Sequence, residues 1–148
     1  MMKQVIDTLL ADKTVQEDAR QFNFSGTEKA SAEIVTSFAE DTIAYLEADA
    51  VISFDIKLNE ALTGPVDLAM TCSGACGASI DLAKIVDKTV VNKWQSVSVD
   101  LGCYADKGVN FASLTSPFSL HSSAKASVSV ANIQFVPNKA KDATLACK

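Results

Sequence analysis

The amino-acid sequence predicts an all-β antiparallel sandwich with one short helical segment. Segments of alternating polar and apolar residues recur along the chain, and turn-forming residues separate them. From residue 16 onwards, helical spacing is confined to one short stretch. The most informative stretch runs from Val66 to Cys103. There, two alternating segments that each end at a cysteine enclose the helical stretch and the chain's single tryptophan. A chain of 148 residues is long enough for one domain with a buried core.

Residues 1–15 are predicted to be a linker or a docking arm, and residues 16–148 a single β-sandwich domain. The apolar residues of this arm are spaced as on one face of a short helix, at Val5, Ile6, Leu9 and Leu10. The segment MMKQVIDTLLADKT is not expected to be a signal peptide, because its apolar stretch is short and contains Asp7.

The β pattern begins at Arg20. In RQFNFS, Phe22 and Phe24 share one face, and the next segment continues the pattern at Ala32, Ile34 and Phe38. The clearest alternation lies in AVISFDIKLN, where the apolar face consists of Ile52, Phe54, Ile56 and Leu58. The opposite face of this segment consists of Ser53, Asp55 and Lys57. One face of this strand is therefore predicted to lie in the core and the other in solvent.

Gly64 and Pro65 interrupt the pattern, which then resumes with Val66, Leu68 and Met70 on one face. After the cysteine turn, apolar residues adopt helical spacing at Leu82, Ile85 and Val86, and Asp81 is the predicted N-cap. A helix of two turns needs packing to be stable, so we expect it to lie across one end of the sandwich.

The last two predicted strands differ in how regular they are. WQSVSVDL points Val97, Val99 and Leu101 inward. In ASVSVANIQFV, the parity changes between Val130 and Ile133. A one-residue shift would turn half of this strand inside out, so a β-bulge is predicted near Ala131-Asn132.

The charge balance argues against nucleic-acid binding. The chain has 13 basic and 18 acidic residues, a net charge of −5, and Arg20 is its single arginine. Phosphate recognition favours arginine and a basic patch, which this composition does not supply. No apolar run reaches the length of roughly eighteen residues that a membrane span requires.

Four cysteines form an even set that permits three pairings. We favour Cys72–Cys76, which would close a turn, and Cys103–Cys147, which would tie the C-terminal tail to a strand end. The chain-entropy model gives the second bridge about 4 kcal/mol. A zinc site is the alternative, but it usually requires two close cysteine pairs and only one is present. Oxidised cysteines would indicate a periplasmic or secreted protein.

No catalytic constellation is visible in the sequence. His121 is the only histidine and is expected near a strand end, no nucleophile elbow is present, and no carboxylate pair is distinguished by its spacing. The glycines of CSGACG lack the lysine of a phosphate-binding loop. The chain is therefore predicted not to be an enzyme.

Sugar binding fits the composition better, since it needs aromatic faces and a few hydrogen-bonding side chains on a rigid frame. Trp94 has outward parity but begins its strand, so packing in the core or at its rim and an exposed platform both remain open. Tyr104 follows Cys103 in the loop CYADKGVNF. We predict that Trp94 or Tyr104 stacks on sugar, with Asp106 and Asn110 as hydrogen-bond partners. An ordinary surface loop is the alternative.

The segments QEDARQFNFSG, VDLAMTCSGACGASIDL, WQSVSVDLGCYADKGVNF, TSPFSL and VANIQFV together resemble a known domain. Over roughly residues 16–137, the chain is similar to the galactose-binding-like C-terminal domain of bacterial glycoside hydrolase family 3 exo-1,3/1,4-β-glucanases and β-glucosidases. The resemblance implies a jelly-roll sandwich appended to catalytic domains, whose catalytic Asp and Glu are absent from this chain. Many relatives have Trp where Phe24 stands.

The resemblance implies a non-catalytic accessory module that binds β-glucan-type polysaccharide. The alternative is a structural domain that packs on the catalytic domains and binds no sugar. A structural Ca²⁺ is a further expectation, because sandwiches of this superfamily often carry one near strand ends. Its conceivable ligands are Glu40, Asp41 and Glu47, although their spacing does not define a site.

Overall fold

The computed structural model describes residues 2–4, 7–10, 20–25, 30–34, 41–122 and 124–147. These residues form ten strands: β1 Met2–Gln4, β2 Asp7–Leu10, β3 Arg20–Ser25, β4 Ala30–Ile34, β5 Val51–Leu58, β6 Asp67–Cys72, β7 Cys76–Asp81, β8 Trp94–Asp100, β9 Leu114–Ser122 and β10 Lys125–Val136. Two short α-helices are α1 Ile43–Glu47 and α2 Leu101–Ala105. Single 3-10 turns occupy Leu82–Lys84, Phe111–Ser113 and Ala140–Asp142.

The strands form two five-stranded sheets. The first sheet has the order β1-β4-β9-β6-β7, and the second has the order β2-β3-β10-β5-β8. The strand pairs within both sheets are antiparallel. The predicted all-β antiparallel sandwich is confirmed.

Side chains from the facing sides of both sheets build the core. Burial alternates along β5, and its predicted inward residues Ile52, Phe54, Ile56 and Leu58 are all buried. Phe54 meets Phe118 of β9 edge to face, with 5.3 Å between ring centroids. Burying a side chain of this size stabilises the fold by about 1.5–3 kcal/mol.

The described residues of the predicted linker or docking arm form two short strands. Within residues 1–15, the described parts are β1 and β2, which pair with β4 and β3 respectively. They are the edge strands of the two sheets. Short edge strands are held by backbone hydrogen bonds, so the side-chain spacing that suggested a helix was a poor guide. Val5, Ile6 and the predicted inward Phe38 lie outside the described residues.

The predicted bulge in β10 is confirmed. Ala131 pairs with Asp55 and Gln134 with Ser53, so two residues of β10 lie opposite the single residue Phe54. Asn132 provides the local bend with a φ of 57°, which Asn adopts more readily than most residues. The bulge restores the inward parity of Ile133 and Phe135, which pack against the core.

The helical content exceeds the single predicted segment. The predicted cap is present, since the Asp81 carboxylate accepts a 3.0 Å hydrogen bond from the Ala83 N–H, but it begins a 3-10 turn rather than a two-turn helix. Leu101, expected to end the strand, and the start of the expected loop CYADKGVNF belong instead to α2. Asp100 caps this helix by accepting a 2.9 Å hydrogen bond from the Gly102 N–H.

Both predicted disulfides are present. Cys72–Cys76 joins the ends of the β6–β7 turn, and Cys103–Cys147 joins α2 to the C-terminal tail. Leu145 of this tail forms a parallel bridge with Val99 of β8. The tail therefore covers part of the β8 edge. Within the described ranges, no helix has the length and apolarity required to cross a membrane.

Candidate functional site

Tyr104 lies in the core and not on an exposed edge, which corrects its predicted role as a sugar platform. The side chain of this α2 residue has an exposed fraction of 0%. Its hydroxyl donates a 2.9 Å hydrogen bond to the Leu68 carbonyl in β6. Burial raises the pKa of the phenol well above its usual range. Tyr104 was expected in a surface loop, but it belongs to α2, which turns its side chain into the core.

Trp94 lies on the outer face of the second sheet. It begins β8, is partly exposed, and pairs across the strands with Lys57 of β5. The Lys57 ammonium lies 5.3 Å from the centroid of the indole ring, as in a cation–π contact. The indole therefore lies on the outer face and is half-buried, and it does not pack in the core.

Polar side chains next to Trp94 hold one another in place. The Asp55 carboxylate accepts hydrogen bonds of 2.7 Å from Ser96 Oγ of β8 and from Asn132 Nδ2 of the β10 bulge. Three strands thus contribute to one hydrogen-bonded group. A carboxylate with both oxygens engaged has a restricted orientation, which favours a preformed surface.

A second polar group continues this face towards β3. Asn59 Nδ2 donates to Ser127 Oγ over 3.2 Å and to Ser129 Oγ over 3.0 Å. Ser127 Oγ in turn donates to Asn23 Oδ1 over 2.7 Å. We call the outer face of the second sheet the Trp94 face; its members are Trp94, Lys57, Asp55, Ser96, Asn132, Asn59, Ser127, Ser129 and Asn23.

The remaining predicted residues, Asp106 and Asn110, are exposed in the segment after α2. The Asn110 carboxamide accepts a 3.0 Å hydrogen bond from the Ala112 N–H, where it caps a 3-10 turn. The Asn110 N–H donates to Cys72 Sγ over 3.4 Å. The disulfide Cys72–Cys76 therefore contacts this segment through the backbone of Asn110.

The predicted site residues do not converge. The six residue steps of β8 place its two ends about 20 Å apart. Trp94 lies at the first end, whereas the segment with Asp106 and Asn110 follows the second end through α2. The segment after α2 lacks a described aromatic on its surface, because Tyr104 and Phe111 are both buried. The Trp94 face thus joins an aromatic ring to polar side chains, whereas the Asp106 edge is polar alone.

The sequence missed most of the polar members of the Trp94 face. The alternation along β5 placed Asp55 and Lys57 on the solvent face but did not connect them with Trp94. Asn59, Asn132 and Asn23 gave no such signal, because their partners are brought together only by the strand order of the sheet.

The expected calcium ligands do not form a site in the described residues. Glu40 lies outside them, while Asp41 and Glu47 are exposed at the two ends of α1. An Asp41 carboxylate oxygen accepts a 3.1 Å hydrogen bond from the Ile43 N–H. In the part of the chain that the structure describes, no three His, Cys, Asp or Glu side chains are grouped as metal ligands.

Comparison with a family model places the chain among known domains. Residues 1–135 match the family Exop_C, described as galactose-binding domain-like. No curated protein matches the sequence.

Solved structures share the fold at low identity. The extra C-terminal domain of an exo-1,3/1,4-β-glucanase from a Pseudoalteromonas species is 15% identical, with a TM-score of 0.69 over 88% of this chain and 69% of that domain. The whole glucanase gives 14% identity and a TM-score of 0.70 over 92% of this chain, which spans only 16% of that enzyme.

A family 30 carbohydrate-binding module from a cellulosomal cellulase of Clostridium thermocellum has a similar fold. It is 18% identical, with a TM-score of 0.72 over 93% of this chain and 86% of the module. The matched domains are a binding module and an accessory domain, not catalytic domains, in agreement with the non-enzymatic prediction.

Proposed function

Because the chain belongs to the galactose-binding domain-like family Exop_C, we propose that it is a non-catalytic accessory module that binds β-glucan-type polysaccharide. We propose that the module is part of a glycoside hydrolase of family 3 or is derived from one. The two disulfides support a periplasmic or secreted location for this module.

The Trp94 face is the observation that carries this proposal. A sugar ring binds to proteins through stacking of its C–H face on an aromatic ring and through hydrogen bonds of its hydroxyls. The Trp94 ring offers the first interaction, and Lys57, Asn59 and Ser96 beside it offer the second. We expect weak binding, in the millimolar range, because a flat solvated surface makes few contacts with each sugar unit.

The ligand class rests on the relatives. The exo-1,3/1,4-β-glucanase that carries a similar domain is named for its action on β-glucan, and the sequence resemblance implies the same class of polysaccharide. Asp106 and Asn110 remain proposed contacts only for a polymer that extends beyond the Trp94 face, because the length of β8 separates them from Trp94.

Titration with laminarin and lichenan oligosaccharides tests the proposal. Trp94 is the only tryptophan of the chain, so its fluorescence reports the proposed surface alone. We expect a saturable change in emission at millimolar oligosaccharide. No change, together with no heat of binding in calorimetry, would contradict the proposal.

Two variants locate the site. Trp94→Ala should abolish the heat of binding, and Lys57→Ala should reduce it. Tyr45→Ala is the matched control, since Tyr45 is an exposed aromatic residue outside the Trp94 face. Equal losses in the control and in Trp94→Ala would assign the effect to general damage to the fold.

A structural role is the second candidate, and an aromatic pair supports it. Tyr45 of α1 is 42% exposed and meets Phe135 of β10 edge to face at 5.1 Å. Such a pair could contact a catalytic domain of the same polypeptide. Removing the module from the parent enzyme separates the two roles. Loss of activity on insoluble glucan alone supports binding, whereas a lower melting temperature of the catalytic domains supports the structural role.

A further inference from the structure

A shallow groove lies on the outer face of the first sheet, on the side of the sandwich away from the Trp94 face. It has a volume of about 240 Å³ and spans β6, β7 and β9. The residues that face the groove alternate along these strands with residues of the core. Those facing the groove are Asp67, Ala69, Thr71, Gly77, Ser79 and His121.

The floor of the groove is made of small residues. Ala69 of β6 pairs with Ser79 of β7, and Thr71 pairs with Gly77. A Cβ atom at Gly77 would lie 2.8 Å from the Met70 carbonyl oxygen, so a larger residue is excluded there by the close approach of β6. The absence of long side chains at Ala69 and Gly77 lets a ligand reach the sheet itself.

The walls of the groove are polar and hydrogen-bonded. His121 Nε2 lies 3.0 Å from Ser119 Oγ, and the Thr71 and Thr115 hydroxyls are 3.1 Å apart. Ser119 Oγ also donates to the Ala69 carbonyl over 3.3 Å. Ser119 is buried, and its contact with His121, like that of Thr115 with Thr71, orients a polar side chain that lines the groove. The floor between these side chains has no aromatic ring.

Negative charge accumulates at one end of the groove. Asp67 pairs directly with Asp81 of β7 on one side and with His121 of β9 on the other. Two carboxylates at paired positions repel each other, which is unfavourable for the sheet. The basic residue Lys88 lines a neighbouring depression together with Asp81, outside the groove itself.

We propose that this groove is a second carbohydrate site, selective for a neutral, hydroxyl-rich sugar unit over uronate and sulfated sugars. The inference rests on the proposed sugar-binding function but concerns a separate surface. A carboxylate such as Asp67 accepts hydrogen bonds from two neighbouring sugar hydroxyls, and charged acceptors strengthen such bonds. The same carboxylates repel an anionic sugar.

Amide chemical shifts test the proposal on the unaltered chain. Neutral gluco-oligosaccharides should shift the amides of Ala69, Gly77 and Ser79 in a two-dimensional ¹H–¹⁵N spectrum. Oligogalacturonate at equal concentration should leave them in place at low salt, where charge repulsion is least screened. In Trp94→Ala, the groove shifts should persist, because that substitution lies on the opposite face.

One substitution tests the charge argument. Asp67→Asn should weaken binding of the neutral sugar at the groove by about tenfold, since hydrogen bonds to a charged acceptor are lost. It should also reduce the difference in affinity of the groove for neutral and for anionic sugars. The control is Asp142→Asn, which removes an exposed carboxylate from the 3-10 turn near the C terminus. It should change neither the affinity for the neutral sugar nor the preference for neutral over anionic sugars.

The outcomes separate this inference from the proposed function. If Trp94 fluorescence responds to glucan but the groove amides do not shift, the second site is refuted and the proposed function stands. Equal shifts with oligogalacturonate would refute the selectivity. If neither the fluorescence nor any amide responds, both proposals fail. The amide mapping needs no variant, so the test does not depend on Asp67→Asn folding.

Discussion

The hydroxyl of Tyr104 in α2 donates a hydrogen bond to the carbonyl oxygen of Leu68 in β6 over 2.9 Å. Both residues are buried, so this bond joins the helix to the first sheet inside the core. Tyr104→Phe leaves the Leu68 carbonyl without this donor and should lower the free energy of unfolding by about 1–3 kcal/mol. Urea denaturation measures the change. An unaltered midpoint would show that the bond contributes nothing.

The same burial should make stability depend on alkaline pH. Below about pH 10 the Tyr104 phenol is neutral in the folded and unfolded chains, and its contribution to the free energy of unfolding is fully present. Because the folded pKa is raised, the unfolded chain loses this proton first as pH increases, and the free energy of unfolding falls. The decrease in the free energy of unfolding between about pH 8 and about pH 11 should therefore be smaller in Tyr104→Phe than in the unaltered chain.

Ultraviolet absorbance gives an independent measurement of this effect. The chain has two tyrosines, so Tyr104 is the only one left in a Tyr45→Phe variant. The phenolate band of that variant should appear only when the protein unfolds. Its appearance in the folded chain near pH 10 would contradict the burial of Tyr104.

The bulge in β10 should tolerate only residues that accept a positive φ. Asn132→Ala loses the hydrogen bond to Asp55 and places Ala in the left-handed region, so we expect a loss of about 1–2 kcal/mol. Asn132→Gly also loses the hydrogen bond, but Gly adopts a positive φ without steric strain. The glycine variant should therefore be the more stable of the two in thermal unfolding, and the reverse order would reject this account.

The two disulfides should differ in their contribution to stability. Cys103–Cys147 spans a sequence separation of 44 and Cys72–Cys76 a separation of 4. The chain-entropy model gives about 4 kcal/mol for the first and about 2 kcal/mol for the second. Replacing each pair by serine, followed by urea denaturation, compares them. Equal losses would indicate that strain or packing, and not loop closure, sets their contribution.

Much of the sandwich follows from side-chain alternation. The inward residues of β5 and the bulge in β10 were predictable because one face of each strand is buried, which fixes the register. Helix α2 was not predictable in this way, since a five-residue helix depends on packing and on its Asp100 cap more than on propensity. The burial of Tyr104 follows from that helix.

The candidate site was predicted less completely than the fold. Trp94 was identified because its parity opposes that of Val97 and Val99. Its polar neighbours come from β5 and β10, and β10 is distant in sequence. Which strands become neighbours is decided by the order of strands in the sheet, and local pattern does not report that order.

The strand order also has a consequence for folding kinetics. The central strands of the two sheets are β9 and β10, the last two strands of the chain. In the second sheet, β10 joins β3 to β5, and the Ser127–Asn23 hydrogen bond closes a separation of 104 residues. Neither sheet can be completed before the C-terminal third of the chain has been synthesised. We therefore expect slow folding, on a scale of milliseconds to seconds, that begins only after nearly the whole chain is available.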